Sequence, residues 1–287
     1  MQVPSQVEYE RATSVEHALS LLGRPETRAL AGGHSLIPMM KLRLAQPELL
    51  VDINGLAELA FIAKDGDQLR IGALARHADL LESTIAAEHF PIFRDAERVV
   101  ADPIVRLWGT VGGSLCQADP SEDLSAAFAA ARATAVIKTS DGERTVPVRE
   151  FHLGPYETVI GRGELLAEIR VPVRTGTGSA YEKVSRRVGD WSVAAAGAVL
   201  ELRNSNTIQE AGIGLTAVGA EHFVAAEAED YLRGREASPG NFKQAAEIAA
   251  AHCHPAADQR GPEDFKRHLV AELTLRALAR AAERAFQ

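Results

Sequence analysis

The sequence predicts an α+β protein in two parts: two α/β lobes, then a domain of antiparallel sheet plus helices. Three observations predict it. Short apolar runs that read as strands alternate with helical patterns over residues 1–175. Two glycine pairs, Gly32-Gly33 and Gly112-Gly113, each sit beside hydroxyl residues at the entry to an apolar stretch. Beyond the small-residue junction Gly176-Thr177-Gly178 the pattern changes to long strand-like runs followed by helices. The domains are therefore expected at 1–175, with lobes of about 1–55 and 56–175, and at 176–287.

In the first lobe, Val7 and Tyr9 suggest a short strand. Thr13-Ser14-Val15-Glu16 reads as a capping box with Thr13 at the N-cap, opening a helix that stops at Gly23. Ala29 to Ala31 is a short strand entering Gly32-Gly33. Ser35 is expected to cap the next helix, with Pro38 in its first turn. Leu36, Met40 and Leu44 share a face of that helix and read as core. Residues 49–53 form a buried strand that ends in the turn Asn54-Gly55.

In the second lobe, residues 68–71 alternate as a strand, and 74–83 and 92–99 read as helices. Residues 102–106 lead into the second glycine turn. Asp123 is a candidate N-cap for an alanine-rich helix over 124–131. A hairpin spans 135–146 around Asp141-Gly142, and a strand over 165–171 ends at Pro172. In the last domain, 181–184, 193–202 and 208–218 read as strands, with Asn204-Ser205-Asn206 turning the chain between the last two. Helices over 223–232, 242–252 and 262–286 follow.

Composition narrows the function classes. A net charge of −8 without a basic cluster disfavours nucleic acid and anionic membrane surfaces as partners. Cys116 and Cys253 are the only cysteines, so no disulfide framework is required and the four usual ligands of an iron–sulfur cluster are lacking. Cys116 reads as a small buried residue. His252-Cys253-His254 reads as a helix end before Pro255, because no second ligand pair stands at zinc spacing. No metal site and no catalytic acid, base or nucleophile is expected on this chain. No apolar run approaches the roughly 20 residues of a membrane span, and the opening residues are polar with Pro4 among them. A cytoplasmic protein is expected.

The glycine pairs carry the chemistry. Glycine permits positive φ and close approach to the backbone, and exposed N–H groups at such a turn bind anions, phosphate above all. Gly212-x-Gly214 is followed by Gly219, the wrong spacing for a dinucleotide fingerprint, and no P-loop is present. Two glycine turns could grip two sides of one diphosphate.

The run Ala31-Gly32-Gly33-His34-Ser35-Leu36-Ile37-Pro38-Met39-Met40-Lys41-Leu42-Arg43 resembles the first FAD-binding loop of the medium, flavin-carrying subunits of molybdenum hydroxylases, the xanthine dehydrogenase family. Within it the wording is nearest to the carbon monoxide dehydrogenase medium chains. Arg106-x-x-Gly109-Thr110-Val111-Gly112-Gly113-Ser114, then Ala118-Asp119-Pro120 and Asp123-Leu124, resembles the second loop. Tyr181-Glu182-Lys183 and Gly189-Asp190-Trp191 resemble a third block. The resemblance implies a two-lobed FAD-binding domain of the vanillyl-alcohol-oxidase/PCMH type, followed by a CO dehydrogenase flavoprotein C-terminal-like domain.

It also implies a site. The main-chain N–H groups of Gly32 to Ser35 and of Gly112 to Ser114 would hold the FAD diphosphate, with Ala31, Leu36 and Val111 flanking them and hydroxyls from Ser35, Thr110 and Ser114 added. Asp123 matches the position that accepts from a sugar or ribityl hydroxyl, and helix capping is its alternative. Lys183 matches the lysine at the polar edge of the flavin, where a cation stabilises the reduced ring; a solvated strand lysine is the other reading. Trp191 stands where relatives place an aromatic beside the isoalloxazine, or else in the core of the C-terminal sheet. Ile104 and Leu166 match apolar positions near the cofactor. His34 stands where many relatives carry glutamine; non-covalent binding and a histidyl link are both open.

In function, the resemblance implies the FAD subunit of a dimer of heterotrimers. A large subunit would carry the molybdopterin cofactor and oxidise the substrate, and a small subunit would carry two [2Fe–2S] clusters. Electrons would pass through FAD to an external acceptor such as a quinone or its carrier. The substrate stays open among carbon monoxide, an aldehyde, an N-heterocycle and a purine. The complex would be cytoplasmic, or held at the inner face of the membrane through partners. A self-sufficient flavin oxidoreductase of the same fold is the alternative.

Overall fold

The computed structural model describes residues 3–203 and 206–286. In the first lobe, β1 (Glu8–Arg11), α1 (Val15–Leu22), β2 (Thr27–Leu30), α2 (Leu36–Lys41) and β3 (Leu49–Asp52) form a three-stranded sheet of order β1-β3-β2, with both neighbours parallel to β3. Helices cross between these strands, as parallel pairing requires. Ser14, not Thr13, caps α1: its hydroxyl accepts the His17 N–H at 3.1 Å. Met40 is buried as expected, but Leu44 lies beyond α2 and is exposed, because the helix ends at Lys41.

The second lobe opens with the hairpin β4 (Ile62–Asp65) and β5 (Gln68–Gly72). Six helices follow: α3 (His77–Glu82), α4 (Thr84–His89), α5 (Pro91–Val99), α6 (Pro103–Trp108), α7 (Val111–Gln117) and α8 (Leu124–Ala130). Next come β6 (Thr134–Thr139), β7 (Gly142–Pro147), a small ribbon of β8 (His152–Gly154) and β9 (Glu157–Thr158), and β10 (Leu165–Pro172). The main sheet has the order β4-β5-β10-β6-β7 and is antiparallel. The helix expected over 74–83 starts only at His77, because residues 73–75 bond to β10, the 3-10 turn ending at Leu59, and α7 instead. The approach to the second glycine pair is itself a helix, α6, capped by Asp102 and started by Pro103. Phe93 and Phe128, with ring centroids 4.6 Å apart, pack α5 against α8 at the centre of the apolar core.

The C-terminal part is the antiparallel sheet β11 (Thr177–Ser185), β12 (Ser192–Arg203) and β13 (Thr207–Thr216), then α9 (Ala226–Leu232), α10 (Pro239–His252) and α11 (Glu263–Ala285). The turn expected at Asn204-Ser205-Asn206 lies, for its first two residues, outside the described residues. Alanines 194, 196 and 198 of β12 present a flat, buried face to the helices. Gly212 and Gly214 let the β13 backbone lie directly on α8: a Cβ there would stand 1.9 Å from the Ala130 carbonyl oxygen and 2.0 Å from that of Ala126. Backbone contact, not phosphate binding, is what these two glycines serve.

Candidate functional site

The first glycine stretch leaves β2 at Leu30 and enters α2 at Leu36. Gly33 takes φ 75°, the left-handed region that favours glycine. Ser35 precedes the helix as expected, but its side chain makes no capping bond. The N–H groups of Gly32, Gly33, His34, Ser35 and Leu36 therefore find no acceptor among the described residues. His34 is exposed. A row of open donors at the end of a parallel strand is an anion cradle. With α2 only six residues long, the donors rather than a helix dipole carry the attraction.

The second stretch is not a turn. Gly112 and Gly113 lie inside α7, whose N-cap Thr110 accepts the Gly113 N–H at 3.1 Å. The Val111 and Gly112 N–H groups donate to the carbonyls of Ala75 and Ala73, each at 2.9 Å, and Ser114 N–H donates to Thr110 O at 3.0 Å. The expectation that main-chain N–H groups of Gly112 to Ser114 hold a diphosphate is thus corrected: they are already bonded. Gly112 is required by packing, since a Cβ would fall 2.5 Å from that of Ala73. The Ser114 hydroxyl is committed as well, donating to Glu122 Oε2 at 2.8 Å. What α7 offers a ligand is the exposed backbone of Gly113.

The two stretches touch. A Cβ on Gly32 would stand 2.3 Å from the Trp108 carbonyl oxygen and 2.7 Å from Gly109 Cα. Gln117 of α7 also reaches Met39 of α2, its Nε2 lying 3.3 Å from the sulfur. Gly109 is pinned from its other side by His77, whose ring a Cβ would meet at 2.7 Å. His77 is buried and its Nδ1 lies 2.9 Å from Glu97 Oε1 of α5. Burial alone would discharge the imidazole, but Glu97 beside it holds the His77 pKa above its ordinary value.

Behind the second stretch lies a buried polar network. The Asp123 carboxylate accepts from Lys183 Nζ at 2.7 Å and from the hydroxyls of Tyr181 and Ser192, each at 2.9 Å. Lys183 also donates to Val99 O at 3.1 Å and is buried, which removes the solvated-lysine reading. Burial raises the Asp123 carboxyl above its usual range, while Lys183 and the hydroxyls pull it back. Asp123 does not cap α8. Its neighbour Glu122 does, accepting the N–H of Leu124 at 2.9 Å and of Ser125 at 2.6 Å. Burial lifts the Glu122 carboxyl to about 7.

An apolar rim completes the region. Ile104, Leu107 and Trp108 of α6 are 64%, 62% and 59% exposed, and Trp191 is 45% exposed, so Trp191 is not a core residue. Gly189, at φ 78°, seats the Trp191 loop against the Ala101 carbonyl just before α6. Leu166 is apart from this rim, in the core on β10. Its neighbour Ala167 accepts the N–H of Ala73, which in turn accepts from Gly112, so Leu166 backs α7. Cys116 on α7 is exposed, contrary to expectation, because it faces away from the core side held by Leu115. Arg76, His77 and Glu122 carry no motif signal. Asn54 is marked only as a turn residue, and Glu97 leaves a trace as a carboxylate on the buried side of α5.

Residues 5–174 match the family model described as the FAD binding domain in molybdopterin dehydrogenase. Residues 179–281 match that of the CO dehydrogenase flavoprotein C-terminal domain. This chain belongs to that flavoprotein family. Among its relatives, the carbon monoxide dehydrogenase medium chain of Hydrogenophaga pseudoflava is 39% identical over 279 residues, covering 96% of this chain and 97% of the relative. The glyceraldehyde dehydrogenase medium chain of Sulfolobus acidocaldarius is 35% identical, covering 97% and 99%. The solved structure of the Hydrogenophaga pseudoflava carbon monoxide dehydrogenase lacking the Mo-pyranopterin moiety of its cofactor superposes with a TM-score of 0.94 at 40% identity, covering 98% of this chain and 99% of that one. The chain is an FAD-binding medium subunit of the molybdenum hydroxylase type, an oxidoreductase component. Among the described residues no helix is long and apolar enough to cross a membrane.

Proposed function

We propose that this chain takes electrons from the [2Fe–2S] clusters of a small partner subunit and delivers them through FAD to an external acceptor, in a complex most like aerobic carbon monoxide dehydrogenase. A large subunit holds the molybdopterin cofactor and oxidises the substrate. The observation that carries this reading is the contact between the two glycine stretches, with five uncommitted N–H groups on one of them. FAD supplies the step between one-electron and two-electron carriers. The chain's residues do the rest. Gly32 to Leu36 would offer donors to the diphosphate, Gly113 would allow close approach, and the buried Asp123–Lys183 pair would set the local charge. Ile104 and Trp191 shield an apolar edge from water.

Near-full-length similarity to medium chains of multi-subunit dehydrogenases favours electron transfer over a self-sufficient flavoenzyme. The complex is assigned to the cytoplasm, in contact with the inner membrane face only through partners or acceptor. The test is purification of the native complex through a tag on this chain, with assay of carbon monoxide and aldehyde oxidation against an artificial acceptor. FAD, molybdenum, iron and two further subunits, with carbon monoxide turnover, support the proposal. FAD with turnover by the isolated chain overturns it. Turnover of an aldehyde alone keeps the electron-transfer role and replaces the substrate.

A further inference from the structure

Two side chains outside both glycine stretches reach into them. Asn54 follows β3, and its Nδ2 donates to the Ala31 carbonyl at 2.8 Å and the Leu30 carbonyl at 3.3 Å, immediately before Gly32. Asp52 holds that amide in place, accepting Asn54 Nδ2 at 2.7 Å and Asn54 N–H at 2.9 Å. Asn54 Oδ1 then accepts from Arg76 Nη2 at 2.8 Å. The other arm of the same guanidinium, Nη1, donates to the Trp108 carbonyl. That is the carbonyl against which Gly32 packs. The Arg76 backbone is fixed in turn by Asp79, which accepts its N–H at 3.0 Å.

The bonds form one bridge, from the end of β2 through Asn54 and Arg76 to the end of α6. A guanidinium suits this role because its fork is planar and presents several donors at fixed angles; an ammonium cannot span both acceptors with the same geometry. The bonded partners of the fork are neutral oxygens, and the nearby Asp52 and Asp79 carboxylates offset part of its charge.

We propose that Arg76 and Asn54 are positioning residues that clasp the two glycine stretches at the separation FAD requires, and so set cofactor affinity without being its ligands. This rests on the reading that those stretches hold the FAD. They come from different lobes and touch by packing at Gly32, with no main-chain hydrogen bond between them among the described residues. Positioning of that kind is worth a large factor when a ligand must meet groups on two elements at once.

The test is titration of the FAD-free full-length chain with FAD, for wild type, Arg76→Lys, Arg76→Met, Asn54→Ala and the Arg76→Met/Asn54→Ala double variant. Thermal midpoints of the FAD-free proteins are measured alongside. Each single variant is expected to weaken FAD binding about tenfold or more, equivalent to at least about 1.4 kcal/mol. The double variant is expected to be no weaker than the worse single, because one bridge is broken once. Arg76→Lys, which keeps the charge, is expected not to recover affinity. Wild-type affinity in Arg76→Lys and Asn54→Ala, or additive losses in the double variant, overturns the clasp. If Arg76→Met does not fold, Arg76→Lys and Asn54→Ala decide alone. Gly33→Val separates the two readings. Loss of FAD there with normal binding in the clasp variants rejects the clasp only; normal FAD in folded Gly33→Val rejects the site on which it rests.

Discussion

Gly33 stands at φ 75°, and a Cβ there would meet Ile37 Cδ1 at 2.7 Å. Gly33→Val therefore costs about 1–3 kcal/mol of backbone strain and turns the open donors away from the ligand. Loss of FAD in a chain that keeps its far-UV circular dichroism is the expected result. Glu122 makes a pH prediction. Its carboxyl is lifted from an ordinary 4.5 to about 7, so the folded chain holds a proton there that the unfolded chain has released. Stability from this group is full below about 4.5 and is lost as pH rises to about 7, a swing on the order of 3 kcal/mol. His152 works in the opposite sense. Burial drops it from 6.5 to about 4, so its contribution is present above 6.5 and lost as pH falls toward 4. Denaturant melts of Glu122→Gln should lose the decline toward neutral pH and leave the acid limb of His152 intact. Which of two adjacent acids caps α8 is not legible in the sequence, since Asp123 is the better N-cap by type. The choice is made by Lys183, Tyr181 and Ser192, whose places across the fold the local pattern does not encode.

Among elements, the strands were the most legible. Residues 49–53 and 165–171 carry apolar runs that end in a turn and a proline, residues 68–71 alternate, and β3, β10 and β5 lie there. Helix α7 was not legible, because two adjacent glycines argue for a turn. It forms because Thr110 caps it and the carbonyls of Ala73 and Ala75 take its first N–H groups. Helix α6 did leave a signature, Asp102 followed by Pro103, an N-cap and a proline at the first helical position. Packing of α8 on β13 gives the prediction at this scale. Gly212→Ala places a methyl 1.9 Å from the Ala130 carbonyl, so the helix must move off the strand. A loss of about 1–3 kcal/mol by chemical denaturation is expected, with FAD retained. An unchanged midpoint would contradict the close backbone contact.

At the scale of the whole molecule, Asp123 belongs to the N-terminal part, and its three donors come from β11 and β12 of the C-terminal part. Lys183→Met strips the ammonium from a buried carboxylate and is expected to cost about 3–5 kcal/mol, more at alkaline than at acid pH. Adding Asp123→Asn should recover much of that loss by removing the stranded charge. Calorimetry on the three proteins reads this directly, and equal midpoints for single and double variants would refute it. The general plan of two lobes and a C-terminal sheet with helices could be read from the sequence because each part has its own periodicity. The clasp and the buried network could not, because their members are scattered: Arg76 lies 22 residues from Asn54 and 32 from Trp108.

The Asp123 network also sets a rule for recombination. A crossover that joined these N-terminal lobes to a relative's C-terminal part would keep every backbone contact of each piece. It would still succeed only if the incoming strands brought an ammonium and hydroxyls to the same three places. Exchange of parts among members of this family is therefore constrained by a single carboxylate, and chimaeras should sort into viable and inviable by what they set opposite Asp123.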